Sequence, residues 1–468
     1  MAAGFVAVVV SWVMPVVAAL MLSEVLTSQT GVISYGMGGW RPPIGIEYRV
    51  DLLNAFVLLL VSVLGAVLMP YARLSVAKEI SEKNQPYFYC MYLLCMTGLL
   101  GITITGDAFN AFVFLEISSL STYVLIAMGR DRRGLFAAYQ YLIIGSVGAT
   151  LYVIGIGLLY SLTGTLNFVD ISSKLAQIEE IGPALIALGF LITGISLKLA
   201  LFPLHVWLPN AYTYAPSVAT IFLAGTATKV AVYLLLRLIF TVFDVDASVG
   251  ETPLTEVFML LSILAMFGAS TVACFQDDIK RMLAYSSVAQ IGYITLGIAI
   301  FNQAGMTGSI AHLLNHAIMK AALFMVMGGV VYRLASANIN QMAGLGKTMP
   351  WSMAAFVVAG LSLIGTPGTS GFITKWYLMS GALERDWWWL ALLIVASSVL
   401  SVVYVGRVVE AAYFREPAEG AAQAKEMPFT MLAPTLLLAG ACIWLGIDTR
   451  LTAGLASQIA GILVGGTP

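Results

Sequence analysis

The chain has 468 residues, of which 60% are hydrophobic and only 10% charged, with a formal net charge of −1. Soluble domains carry about 25% charged residues, so the composition excludes an ordinary soluble enzyme, and the near-neutral balance argues against a nucleic-acid partner. The apolar runs are long and continuous, unlike the alternating segments of about 10 residues in a membrane β-barrel, so the fold class is an all-α polytopic membrane protein.

Thirteen apolar spans are expected, near residues 4–27, 51–72, 87–105, 108–128, 134–161, 182–203, 217–240, 255–274, 279–302, 308–335, 351–384, 387–413 and 427–447. The first span has neither the basic start nor the small-residue cleavage site of a signal peptide. A last apolar piece, 451–464, is shorter than the roughly 20 residues a crossing needs. Cys90, Cys95, Cys274 and Cys442 lie in apolar spans without a CxxC spacing, so no zinc or iron–sulfur site is expected. With no Gly-rich phosphate loop either, no cofactor is expected, and redox or nucleotide chemistry would belong to a partner.

Basic residues set the orientation. Loops after even-numbered spans hold 12 of the 23 Lys and Arg residues; loops and tail after odd-numbered spans hold 5. The even side is therefore expected in the cytoplasm, with the N-terminus inside. The other six are Lys198, Lys229, Arg237, Lys320, Lys375 and Arg407. Arg237 and Arg407 stand near helix ends, where long side chains snorkel to water.

The sixth span carries Lys198 just before Pro203, which breaks a helix because it lacks an N–H and clashes with the preceding turn. His205, Trp207 and Pro209 are expected to follow in a short irregular piece. A lysine in an apolar span costs about 2.5–3.5 kcal/mol on insertion scales. A broken helix at membrane depth persists only where protein or a watery cavity covers its free backbone groups. The pairing of the two is what an ion or proton pathway needs. Glu116, in the fourth span, is the deepest acidic residue, and Lys229, Lys320 and Lys375 are equally deep. His312, His316 and Lys320 step by four and so share one helix face, which suits a proton relay. A metal site is disfavoured, since no carboxylate or thiolate lies nearby in sequence to complete a shell.

The eleventh span repeats the pattern, with a break at Pro367 followed by Lys375. The two broken spans are five apart, and an odd offset inverts the topology. The expected architecture is therefore about 13–14 transmembrane helices in two inverted five-helix repeats, each with a broken helix. Residues 1–85 form peripheral helices, 86–243 the first half, 253–413 the second, and 427–468 a C-terminal helix and tail.

The stretches PLHVWLPNAYTYAPSVAT (203–220), QDDIKRMLAYSSVAQIGYI (276–294), HLLNHAIMKAALF (312–324) and GTPGTSGFITKW (365–376), with Lys229, resemble the antiporter-like proton-channel family. That family includes the large membrane subunits of respiratory complex I and subunits of Mrp-type cation/proton antiporters. GGWRPPIGIE (38–47), GDAFNAFVFLEISSLSTYVL (106–125) and SLTGTLN (161–167) make the D-type Mrp subunit the nearest in pattern. The resemblance implies that Glu116 pairs with Lys198, that Lys229 is the central lysine, that His312, His316 and Lys320 form the second half's relay, and that Lys375 is the terminal lysine. It implies a multi-subunit membrane assembly that moves protons and sodium, in a bacterial or archaeal cytoplasmic membrane. The alternatives are a proton-pumping subunit of a complex I-like oxidoreductase, or a scaffold that has lost transport. Two departures stand out. The family commonly has 14 spans, so the chain is expected to begin one helix late. Gly368 replaces a usual second proline, leaving the second break less constrained.

Overall fold

The computed structural model describes residues 2–244 and 253–465. A long helix, α1 (Ala2–Thr27), leads into a small hairpin of β1 (Ile33–Gly36) and β2 (Glu47–Val50). Then come α2 (Leu52–Glu79), α3 (Gln85–Ile104), α4 (Ala108–Ala127), α5 (Arg133–Thr163), a short α6 (Phe168–Leu175), α7 (Gly182–Leu199) and a short α8 (Trp207–Tyr214). α9 (Ser217–Val242), α10 (Leu254–Cys274), α11 (Ile279–Ile300) and α12 (Gln303–Leu334) follow. The chain continues with α13 (Pro350–Ile364), α14 (Ser370–Leu383), α15 (Trp388–Phe414), α16 (Phe429–Ile447) and a final α17 (Leu455–Leu463).

Twelve described helices are long and apolar enough to cross a membrane. The eleventh expected span is divided into α13 and α14, so the thirteen expected spans correspond to twelve such helices and one broken pair. In hydrocarbon every backbone group must be satisfied internally, which is why most of the described chain is helical. α2, α9, α11 and α12 are buried along most of their length; α1 and α15 keep broad apolar faces exposed.

Local chemistry sets the boundaries. Asp51 caps α2, accepting from the amides of Leu53 and Asn54 at 3.1 and 3.2 Å, while the Asn54 side chain accepts from the Asp51 amide. Arg237, expected to snorkel, instead forks onto the same Asp51 carboxylate at 2.7 and 2.8 Å. It sits where α9 is buried by neighbours, and a paired guanidinium is cheaper there than a bare one.

The first break starts earlier than Pro203. α7 ends at Leu199, Ala200 turns left-handed with φ 60°, and the amide of Leu201 folds back to the Ser196 carbonyl. Helix resumes at Trp207, so Trp207 and Pro209 belong to α8 rather than to an irregular piece. Trp207 donates its indole N–H to the Leu197 carbonyl at 2.8 Å, satisfying one backbone group the break sets free. At the second break, Gly365 and Gly368 both have positive φ, 89° and 85°. A proline at 368 would be locked near φ −65° and could not take that conformation. The turn is closed by the Thr369 amide and hydroxyl on the Thr366 carbonyl, at 3.2 and 2.6 Å.

Two backbone clasps reveal the repeat. Asp107, before α4, bridges to Asn167, after α5; Asp278, before α11, bridges to Asn338, after α12. The amides of Ala108 and Phe168 bond the carbonyls of Leu166 and Gly106; those of Ile279 and Ile339 bond Ala337 and Asp277. Each residue of the second clasp stands 171 positions after its counterpart (107 to 278, 167 to 338). In both clasps the Asp and Asn side chains cap the helix that follows. Five crossings separate Asp107 from Asp278, so the clasps sit at opposite ends of the bundle.

Candidate functional site

Glu116 lies halfway along α4, and Lys198 in the last turn of α7. The Lys198 ammonium is 3.7 Å from the Glu116 carboxylate, with Lys198 buried and Glu116 partly open. It donates to Ser119 Oγ at 2.5 Å and to Tyr123 Oη at 3.5 Å. Glu116, Ser119 and Tyr123 fall on one face of α4 because they are spaced by three and four. That spacing in FLEISSLSTY was the signal for two contacts that charge alone did not reveal. Tyr123 meets Tyr141 edge-on, and Tyr141 stacks on Trp207 at 3.7 Å between centroids. The residue that covers the first break thus also braces the lysine's aromatic partner. A cavity of about 30 Å³ beside Lys198 is walled by Ser119, Tyr141 and the α9 residues Ala227, Val230, Ala231 and Leu234. It is large enough for a water molecule and lies on the way from Lys198 to the helix bearing Lys229.

Lys229 follows an interruption in α9 at Thr226, whose φ of −123° is not helical. Its ammonium donates to the Ala224 carbonyl that the interruption leaves free and to Thr228 Oγ1 at 3.3 Å. It is within electrostatic range of His312, His316 and Lys320.

On α12 the expected stripe is present and fully buried. The Lys320 ammonium donates to the Leu283 carbonyl at 2.8 Å and to Ser286 Oγ, both on α11. The rings of His312 and His316 stack, 5.5 Å apart and 5° from parallel. None of their four ring nitrogens has a protein hydrogen-bond partner. Tyr293 of α11 stands 6.1 Å from the His312 ring, and the Lys375 ammonium lies 4.8 Å over the Tyr293 ring. Tyr293 therefore joins the histidine pair to the terminal lysine, a link no acidic or basic residue announced. Lys375 reaches back across the second break to the Ile364 carbonyl at 2.5 Å and sideways to Ser398 Oγ at 2.8 Å. A cation at the carbonyl end of α13 is favoured by the helix dipole.

His205 is half-buried beside Phe202 and Tyr285, at centroid distances of 5.1 and 6.3 Å. Pro203 and Pro367 occupy the two breaks. The buried groups thus form two clusters, Glu116–Lys198 and Lys320–His316–His312–Tyr293–Lys375, with Lys229 between them. Carboxylate, amine and imidazole in an apolar interior can hold and pass protons. They offer no thiolate or carboxylate cage for a metal.

Residues 105–401 match the family model described as NADH:quinone oxidoreductase/Mrp antiporter, transmembrane. The chain is 40% identical over 425 residues to a protein of Desulforudis audaxviator named NADH-quinone oxidoreductase subunit N, covering 88% of this chain and 84% of that one. It is 31% identical over 433 residues to the D-type subunit of the Na(+)/H(+) antiporter of Alkalihalophilus pseudofirmus, covering 92% and 86%. Among solved structures it superposes on a chain of the Mrp complex from Dietzia sp. with a TM-score of 0.89 and 26% identity, covering 99% of this chain and 92% of that one. It matches a chain of the membrane-bound sulfane sulfur reductase, an archaeal respiratory membrane complex, with the same TM-score and 28% identity, covering 98% and 91%. The chain belongs to the NADH:quinone oxidoreductase/Mrp antiporter family of transmembrane proteins.

Proposed function

We propose that the chain is the proton-translocating membrane subunit of a multi-subunit Mrp-type sodium/proton antiporter. Protons pass along Glu116, Lys198, Lys229, the His316/His312/Lys320 face and Lys375. The observation that carries this reading is the run of buried titratable groups across both halves, its four lysines held by neutral hydroxyls or carbonyls rather than locked in tight ion pairs. A structural ion pair would be closer and fully hydrogen-bonded. At 3.7 Å, Glu116 and Lys198 attract each other without a direct hydrogen bond, a geometry that can open. When it opens, the ammonium loses its counter-charge and the proton moves toward Lys229. The halves are taken as 86–243 and 253–413, after the 1–85 peripheral helices and before the 427–468 tail.

The second reading is a proton-pumping membrane subunit of a complex I-like oxidoreductase. The 40% identity to a subunit of that name favours it, and the fold serves both equally. Gentle extraction of the native complex, with subunit identification and a visible spectrum, separates them. Membrane-only partners without flavin or iron–sulfur absorbance are expected. Hydrophilic partners with that absorbance would replace the antiporter by the pump.

The excess of basic residues in the even-side loops supports an N-terminus in the cytoplasm of a bacterial or archaeal cell. In intact cells a membrane-impermeant thiol reagent is expected to label cysteine placed at the exposed Ser173 and to spare cysteine at the exposed Gln423. The opposite pattern would reverse the orientation.

A further inference from the structure

Gln290 of α11 is fully buried, and neither the oxygen nor the nitrogen of its amide has a protein hydrogen-bond partner. An unpaired buried amide is costly and, among the described residues, none of the structural contacts of α11 uses it. Its position follows from the register of α11 against α12. These consecutive helices run antiparallel, with Ser286 at Lys320, Tyr293 at His312 and Ile294 at Ser309. Ser286, Gln290 and Tyr293 share one face of α11 at helical spacing. Lys320, His316 and His312 share the facing side of α12. Between the rungs 286–320 and 293–312, Gln290 stands beside His316.

The repeat reaches the same pairing independently. The 171-residue offset of the clasps carries Ser119 to 290 and Gly145 to 316. In the first half both positions adjoin the Lys198 ammonium: Ser119 accepts its hydrogen bond at 2.5 Å, and a Cβ on Gly145 would lie 3.4 Å from it. The Gln290–His316 pair is therefore the second half's counterpart of the Lys198 pocket.

We propose that Gln290 is a positioning residue for proton transfer: its amide and the His316 ring lie on facing positions without a direct hydrogen bond, and a water molecule bridging them would hold His316 in one tautomer. This rests on the proton route above. An amide both donates and accepts but does not titrate, so it can fix which ring nitrogen carries the proton without capturing that proton. The charged and titratable groups around His316 are His312 and Lys320 on α12, Lys229 on α9, Tyr293 on α11 and Lys375 on α14. α2 brings Tyr71 against the Met325 carbonyl, α16 brings only Cys442, and α13 and α17 bring no titratable residue. The turn Arg450–Gly454 also packs on α12, with Arg450 exposed and paired to Asp448, and among the described residues no carboxylate acts on the pair.

The test is the pH profile of proton transport by vesicles holding the whole complex, for wild type, Gln290→Leu, Gln290→Glu and Lys198→Ala. Gln290→Leu is expected to assemble normally and to lower the rate by about tenfold. Gln290→Glu supplies a counter-charge that keeps the imidazolium protonated to higher pH, moving the midpoint up by about 1 pH unit. If Gln290→Glu leaves the midpoint where wild type has it, the proposal is overturned, whether or not Gln290→Leu assembles. If Lys198→Ala is silent while the Gln290 profiles match wild type, only this inference fails. If Lys198→Ala transports normally, the proton route itself fails.

Discussion

At the scale of single residues, each buried charge is held by a different arrangement. Asp51 and Arg237 form a closed, bidentate pair that also caps α2, whereas Lys198 rests on hydroxyls with its carboxylate at arm's length. The first arrangement stabilises; the second can change state. Burial pushes the Asp51 carboxyl up, but the Arg237 charge, its hydrogen bonds and the Asn54 amide outweigh that and hold it below the usual range. The stabilisation is thus present at neutral pH and is lost as pH falls through the lowered value. Arg237→Leu is expected to destabilise the protein by about 3 kcal/mol or somewhat less, since Asp51 is a quarter exposed. Adding Asp51→Asn, which keeps a cap, should recover part of the loss in a detergent unfolding series. Equal stability of Arg237→Leu and wild type would show the pair to be ornamental.

At the scale of elements, the placing of Lys198 depends on how closely α7 approaches α5. Gly194 and Gly148 face each other there: a Cβ on Gly194 would lie 2.6 Å from the Gly148 carbonyl and 2.8 Å from the Tyr152 amide. Small residues at such contacts let membrane helices pack backbone to backbone. Gly194→Val should push the end of α7 outward and lower proton uptake by about tenfold or more. Gly189→Val, on the same helix with open space around it, should leave uptake unchanged. Similar rates for the two variants would uncouple the helix contact from the site. The spans themselves were legible, because apolar length and charge depletion dominate a membrane sequence. So were the buried lysines, His312, His316 and Glu116, because a charge in hydrocarbon has few explanations. Their neutral partners were not. Ser119, Tyr123 and Tyr293 are ordinary residues for a membrane helix, and only their phase against a neighbouring helix brings them to the buried charges. The exact edge of the first break was also hidden. Pro203 marks it, but α7 ends four residues sooner, where Ala200 turns left-handed without a glycine to signal it.

At the scale of the whole molecule, two five-helix units are closed by matching Asp–Asn clasps at opposite ends. The repeat was expected from the two broken spans, yet the clasps give its register more sharply than the lysines, because Lys198 precedes its break while Lys375 follows its own. The cavity beside Lys198 reaches the helix that carries Lys229, and Lys229 in turn lies within electrostatic range of the histidine pair. The Asp51–Arg237 pair, 186 residues apart in the chain, ties the start of the buried α2 to α9. No local pattern could have shown it. On the proposed function, a fold shared by an antiporter complex and a respiratory complex leaves what drives the protons to the partners and puts the route in this chain. The most direct measurement of that route is the initial rate of proton uptake by vesicles holding the complete complex, wild type against Lys198→Ala at equal complex content. Uptake driven by a sodium gradient, or by the electron donor if the complex proves to be redox-linked, should fall to background in Lys198→Ala while assembly is retained. Wild-type uptake in that variant would contradict the account.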